Sequence, residues 1–445
     1  MNYKEAIEFV EQANQYSGEM GLDAIKGLLE ELGNPHRKLK YVHVGGTNGK
    51  GSVCTYISSV LVASGYKVGR YISPVIKDYK EKIQTVFLSD GKIESVYVSE
   101  KTLIKHIEKI RNACERIRQK GKQYPSAFEI ETVLGFLVFL EEACDLVVLE
   151  VGMGGRLDAT NVIEESECTV LASISMDHKE YLGETLGEIA KEKSGIVKNS
   201  GLVVAYDYYA WSKEQGVKDT ISMEVEKQCK EKHATATFAD FAEIHKEQHN
   251  IDGIWFDYKG WKDLYTPLLG ENQVKNAVVA LEALFLLQKK GWNITEAAVY
   301  EGLKQAKWQG RFEIIKKSPY YVLDGAHNVD AAKSLAKSID IYFKNKKRLF
   351  IMGMLADKDY RGVLEQVGSY ADRIITITPD NPRALPAEQL LVEANAYCKQ
   401  VEVGKNVNAA LERAREIEKE YDVVFIFGSL YSQHLVYEYM EKHPW

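Results

Sequence analysis

Val44-Gly45-Gly46-Thr47-Asn48-Gly49-Lys50-Gly51-Ser52 decides the fold, because it joins an apolar run at 41–44 to a helical pattern at 52–63. A strand that turns through glycines into a helix can cradle phosphate groups. The glycines admit positive φ and let backbone N–H groups approach phosphate oxygens closely. The helix N-terminus behind them adds partial positive charge. In that reading Lys50 reaches the β- and γ-phosphates, and the hydroxyl of Ser52 or Thr47 sits near Mg²⁺. The pattern departs from the common GxxxxGK[ST], since Gly51 separates Lys50 from Ser52.

Working outward, short apolar runs recur at 146–151, 169–174, 202–205, 320–323, 349–352, 374–377 and 423–427. Helical patterns lie between them at 186–192, 274–287, 331–342, 387–396 and 407–418. This alternation predicts doubly wound, parallel α/β sheets. Two stretches break the rhythm. The charged stretch 212–250 reads as a surface helix followed by a peripheral strand region. The stretch 304–311 (KQAKWQGR) precedes a fresh strand–helix series and marks a domain boundary. The expected organisation is a P-loop ATPase-type domain over 1–305 and a smaller Rossmann-like α/β domain over 306–445.

A chain of 445 residues, 45% of them hydrophobic, can bury a large core. A formal net charge of -7 argues against a nucleic-acid partner. The apolar stretch 133–140 falls far short of the ~20 residues that span a bilayer, and residues 1–12 lack the regions of a signal peptide. Cys54, Cys114, Cys144, Cys168, Cys229 and Cys398 form no CxxC pair, which reads as reduced thiols. The expected compartment is the cytoplasm, with no membrane partner.

The string GTNGKGS resembles the P-loop of the folylpolyglutamate and dihydrofolate synthases. Their relatives, the Mur ligases, more often have Thr or Ser directly after the lysine. Further matches follow in order. Ser126-Ala-Phe-Glu129-Ile-Glu-Thr132 is similar to the family's T-x-F-E-x-x-T, and 150–161 (EVGMGGRLDATN) to its EVGLGGRLDATN. Ser175-Met-Asp-His178 and Glu192-Lys193-Ser-Gly-Ile196 come next, then 270–277 (GENQVKNA) beside G-x-H-Q-x-x-N-A. Trp308-Gln-Gly-Arg311-Phe-Glu313, Asp324-Gly-Ala-His327-Asn328, Asp357-Lys-Asp359, Pro382-Arg383-Ala-Leu385 and Gly428-Ser429-Leu-Tyr431 complete the series.

The resemblance implies an ATP-dependent ligase that adds L-glutamate to the γ-carboxylate of a folate, tetrahydrofolate among them, giving ADP and phosphate. Dihydropteroate is a further acceptor, and a monomer is expected. A carboxylate is a poor electrophile, so ATP first phosphorylates it and the amine then displaces phosphate; such a site needs cations and oxygen-rich metal ligands. The implied ATP contacts are Gly46, Thr47, Asn48, Gly49, Lys50, Gly51, Ser52, Gln273, Asn276, Arg311, Asp324 and His327. The implied ligands for two Mg²⁺ sites, with K⁺ as a further cation, are Ser52, Ser73, Glu129, His178 and Lys193 as its carbamate. Lys50, Lys193 and His327 carry the chemistry. Ser73, Pro74, Arg156, Asp158, Arg383, Ser429 and Tyr431 are the implied substrate contacts.

Read from its residues alone, Glu129 is a charge at a helix N-terminus. Lys80 and Lys82 stand where the family has Asn and Arg, and lysine lacks the bidentate geometry of arginine. The acceptor is therefore left open at this stage. Two alternatives remain beside the main reading: a Mur-type amide ligase with a different acceptor, and a P-loop binding module without catalysis.

Overall fold

The computed structural model describes residues 1–16, 21–216 and 218–443. Among them, β1 (Tyr41–Gly45), β2 (Val68–Tyr71), β3 (Ile83–Ser89), β4 (Lys92–Tyr97), β5 (Leu146–Glu150), β6 (Cys168–Leu171), β7 (Leu202–Ala205) and β8 (Thr235–Phe238) form one sheet. Its order is β4-β3-β2-β5-β1-β6-β7-β8. β1 is buried along its whole length and pairs in parallel with β5 and β6. Val44 lies opposite Glu150 and Gly45 opposite Leu171, so three strand ends finish at one level. The chain passes to opposite sides of β1 here, and parallel sheets hold their ligands in the crevice at such a point.

Helix Lys50–Ala63 follows β1 and is apolar nearly all round. A helix of that kind must be covered on every side. The sheet covers one face, and helices Gln273–Lys289 and Glu296–Lys304 cover the others. β3 and β4 form an antiparallel hairpin at one edge of the sheet.

The segment 212–250 carries the expected helix and strand region, with a further helix and a strand that joins the main sheet. Helix Tyr208–Gln215 and helix Thr220–Glu231 precede β8, which extends the main sheet in parallel with β7. The second helix buries Ile221, Val225 and Cys229, a one-residue-wide apolar stripe at i, i+4 and i+8. Charged residues on its other faces mask that stripe in the sequence. β9 (Ile244–Asn250), β10 (Gly253–Tyr258) and β11 (Trp261–Thr266) then form a separate antiparallel sheet.

β12 (Glu313–Lys317), β13 (Tyr320–Leu323), β14 (Arg348–Met352), β15 (Arg373–Thr376), β16 (Val401–Val403) and β17 (Val423–Phe427) make the third sheet, ordered β12-β13-β17-β14-β15-β16. It is parallel except for β12. We place the division between the two units at 305/306, in the stretch between helix Glu296–Lys304 and β12. All six cysteines are buried and unpaired. No helix among the described residues is long and apolar enough to cross a membrane.

Phe425 on β17 anchors the second unit: its ring lies 5.6 Å from those of Phe343 and Phe350 and 6.0 Å from that of Phe312. Phe425→Ala is expected to cost about 3–5 kcal/mol, the usual range for a large buried aromatic. Urea unfolding measures it, and a loss below about 1 kcal/mol would show that this cluster does not hold the unit together.

Candidate active site

The loop after β1 is tied down from three directions. Thr47 N donates to Ser173 O at 2.7 Å, and its hydroxyl donates to Ser175 O at 3.1 Å, which fixes it to the end of β6. Gly49 caps helix Lys50–Ala63 at φ +85°, with the Asn276 side chain packed where a Cβ would stand. Ser52 Oγ lies 3.3 Å from Gln273 Nε2. Gly51 has a separate reason. A Cβ there would lie 2.2 Å from the indole of Trp308, so the glycine that interrupts the common motif is where the inter-domain linker packs on the loop.

Lys50 Nζ folds onto the carbonyls of Gly46 (3.3 Å) and Thr47 (3.1 Å). Beside it a cavity of about 210 Å³ is closed from the second unit by Arg311, Asp324 and His327. Asp324 accepts from Phe312 N and Ala326 N, at 2.9 and 2.8 Å, and so shapes the turn that presents Arg311. His327 Nδ1 lies 2.7 Å from Gly325 O, and burial pulls its pKa down to about 4. The ring is therefore neutral near pH 7, with Nδ1–H donating to that carbonyl and Nε2 left as an acceptor.

Two further cavities meet the first at Ser73 and Pro74. At this junction Ser73 N donates to Glu150 Oε2 at 3.4 Å, while the Ser73 hydroxyl is buried without a hydrogen-bond partner. Burial pushes the Glu150 carboxyl up to about 7, against the opposing pull of Lys50. No cluster of three or more His, Cys, Asp or Glu side chains among the described residues is placed to hold a metal. Mg²⁺ commonly takes only one or two carboxylates plus substrate phosphates. An orphaned hydroxyl next to a buried carboxylate, facing the phosphate loop, fits that habit.

Lys193 is buried, and its Nζ donates to Gly46 O at 2.9 Å. Burial first, and Lys50 second, pull its pKa down to about 7. His178 lines the first and third cavities, and burial lowers its pKa. Its neighbour Asp177 holds the two units together: Oδ1 accepts from Lys358 Nζ at 2.7 Å and Oδ2 from Asn328 Nδ2 at 3.5 Å. Burial opposes ionisation of Asp177, yet His178 and Lys358 keep its pKa well below the usual carboxylate range. Asn48 Nδ2 adds a bond to Asp330 Oδ2 at 2.9 Å.

The third cavity, about 340 Å³, lies between the units and is lined by Arg383, Ser429 and Tyr431 from the second. Arg383 pairs with Asp357 at 3.0 Å, and the Ser429 hydroxyl is buried without a partner. Lys82 also faces this cavity and pairs with Glu131 at 2.5 Å, whereas Lys80 reaches Asp78 and Glu100 at the surface.

Of the expected site residues, Gly46 and Lys193 pair with each other and line none of the three cavities, and three more lie elsewhere. Glu129 does not line the cavities: Oε2 accepts from Ser126 N and Oγ, both at 2.8 Å, and Oε1 from Ile25 N at 3.1 Å. It completes a capping box and ties down helix Asp23–Glu31, so its oxygens are committed. Arg156 pairs with Glu192 at the surface, 3.0 Å away. Asp158 accepts from Met153 N and Thr160 N and folds the loop after β5. Sequence reasoning passed over Glu150, Asp177 and Lys358, although all three stand in the matched motifs. The signal for Glu150 was its position: an acidic residue ending a buried strand at the crevice.

Comparison with known proteins matches residues 44–284 to the Mur ligase middle domain and 310–430 to the Mur ligase glutamate ligase domain. A Bacillus subtilis protein named dihydrofolate synthase/folylpolyglutamate synthase is 30% identical over 437 residues, covering 96% of this chain and 97% of the relative. The crystal structure of a Thermotoga maritima folylpolyglutamate synthase superposes with a TM-score of 0.81 at 32% identity, covering 99% and 96% of the two chains. A Mycobacterium tuberculosis folylpolyglutamate synthase, solved with ADP and AMPPCP, gives 0.87 at 26% identity, covering 98% of each.

The raised pKa of Glu150 gives the expected result a sign. Its contribution to the unliganded fold is fully present below the pKa of an exposed glutamate, and is lost as pH rises through about 7. Glu150→Gln should therefore leave the unliganded Tm at pH 8 unchanged or higher, while lowering turnover by about 100-fold or more. Glu129→Gln should do the reverse, costing about 1 kcal/mol of stability with turnover kept within a few fold. Melting curves and steady-state rates decide, and the opposite pattern would return metal ligation to Glu129.

Proposed function

This chain belongs to the Mur ligase family, among the folylpolyglutamate and dihydrofolate synthases, and from that premise we propose that it joins L-glutamate to a folate at the expense of ATP. One observation carries the reading: Lys50 and Arg311 line the first cavity, and neither has a carboxylate within salt-bridge distance among the described residues. A triphosphate supplies the missing negative charge.

In the proposed reaction the acceptor's γ-carboxylate enters at Ser73 and Pro74, and one of its oxygens attacks the γ-phosphorus of ATP. The bond to ADP breaks, leaving an acyl phosphate. Lys50 and Arg311 stabilise charge on the transferring phosphoryl group without having to reorganise. Ser73 and Glu150 would hold Mg²⁺ here, which neutralises phosphate charge when bound. The amine of glutamate then attacks the acyl carbon from the third cavity, and the tetrahedral intermediate expels phosphate to leave the amide. His327 faces both cavities, and its free Nε2 takes the proton released by the amine. Arg383 and the partnerless Ser429 hydroxyl are the groups proposed to hold the glutamate.

Lys193 is proposed to act as its carbamate. Carbamylation is the addition of CO2 to a neutral amine with release of one proton, and a pKa near 7 provides that amine. The product is an oxygen-bearing anion, which with His178 would suit a second Mg²⁺; K⁺ is a further cation for the cleft. Asp177–Lys358 and Asn48–Asp330 close the units over the substrates and exclude water. We place the enzyme in the cytoplasm as a monomer. Dihydropteroate is a second proposed acceptor, favoured by the double name of the Bacillus relative.

The deciding assay supplies ATP, glutamate and either tetrahydrofolate or dihydropteroate, and reads products by mass. Phosphate release should require glutamate and the pterin together; release with neither would leave a simple nucleotidase. Lys50→Ala is expected to lower kcat by about 100-fold or more, and a near-normal rate would remove the loop from the chemistry. Lys193→Ala should lose activity and recover part of it with added small carboxylates, whereas full activity without them would take the lysine out of the site.

A further inference from the structure

We propose that the groove beside the β3–β4 hairpin is a second anion site, which holds the α-carboxylate of the penultimate glutamyl unit when the acceptor is already γ-glutamylated. This rests on the ligase reading above and names a substrate class for it. The groove has a volume of about 250 Å³. Cavities for drug-sized ligands usually occupy about 300–1,000 Å³, so this one suits a unit of amino-acid size.

Arg70 forms its wall. It projects from β2 on the face shared with Gln84 and Ser95, and is only 6% exposed. Nε and Nη2 donate to Gln84 Oε1 at 3.0 and 2.5 Å, Nη2 to Ser95 Oγ at 3.3 Å, and Nη1 to Thr55 Oγ1 at 3.4 Å. Every one of these partners is neutral, and among the described residues no carboxylate lies within salt-bridge distance. A guanidinium left in this state is costly unless a counter-charge arrives, and its planar fork matches a carboxylate.

The rest of the groove suits a glutamyl chain. Trp308, whose ring centroid lies 5.9 Å from Arg70 Cζ, joins Val86 and Ile93 to offer apolar surface for methylene groups. Three acids, Glu81, Glu94 and Glu150, also line the groove; Glu81 turns to the backbone N–H groups of Ile76 and Lys77, at 2.8 and 3.1 Å from Oε2. Glu94 is exposed. Most tellingly, the groove shares Ser73, Pro74, Glu150 and Arg311 with the nucleotide cavity. With a terminal γ-carboxylate at Ser73 and Glu150, the preceding unit of a γ-linked chain brings its α-carboxylate back toward this groove.

The test compares acceptors carrying one and two glutamyl units. Arg70→Gln should lower the two-to-one ratio of kcat/KM by about tenfold, through KM, as expected when a charge-assisted hydrogen bond is lost. Ser95→Glu, at an exposed edge position, places a carboxylate beside the guanidinium and should lower the ratio likewise without removing Arg70. Arg70→Lys should recover part of it. An unchanged ratio in Ser95→Glu protein with a wild-type melting curve would overturn the proposal. So would a rise confined to the KM for free L-glutamate, which would seat that substrate in the groove. Failure of the wild type on both acceptors would instead remove the ligase reading.

Discussion

Half-buried positive charge without an internal counter-ion is the constraint on which the rest of this structure depends. Lys50 and Arg311 converge on one cavity, and the acids nearest to them are engaged elsewhere or held back. Asp177 is paired with Lys358, Asp324 accepts backbone N–H groups, and burial opposes ionisation of Glu150. Such a cluster repels itself in the absence of ligand, and a highly charged anion relieves it. The free protein is thus less favourable at this point than its complex, as pre-organised sites generally are.

The sheet makes this arrangement possible. Parallel pairing of β1 with β5 and β6 brings the phosphate loop, Glu150 and the Asp177–His178 turn to one edge. None of those residues has to cross the core to reach the others. The second sheet contributes from the opposite side through the turn after β13, and Trp308 lodges the linker on Gly51. The oddity of the phosphate loop and the attachment of the second unit are therefore one feature. A side chain at position 51 would push the linker away and take Arg311 with it.

Much of this was legible in the sequence because local chemistry carried it. The glycine-rich turn between β1 and its helix, the alternation of strands and helices, and the cavity-lining positions Arg311 and His327 follow from short motifs. Other features were set by tertiary packing. Glu129 satisfies its helix cap and the N–H of Ile25, over a hundred positions away in the chain, and no local pattern discloses such a partner. Asp158 and Arg156 stand in the same motif as Glu150, but the turn after β5 directs them into the loop and toward the surface. A peripheral strand after the charged helix was legible, but not that β8 pairs with β7 as an edge of the main sheet, since that partner lies over thirty positions earlier. Arg70 stayed silent for a similar reason: a lone arginine in a strand reveals nothing until its partners prove to be neutral.

The central claim is that an organic carboxylate takes up the terminal phosphoryl group of ATP at the junction of Ser73, Glu150 and Lys50. The most direct measurement uses an acceptor labelled with oxygen-18 in its reacting carboxylate and follows the label by mass spectrometry. Passage through an acyl phosphate transfers a labelled oxygen into the released phosphate with each amide formed. Phosphate that emerges unlabelled while amide accumulates would contradict the account.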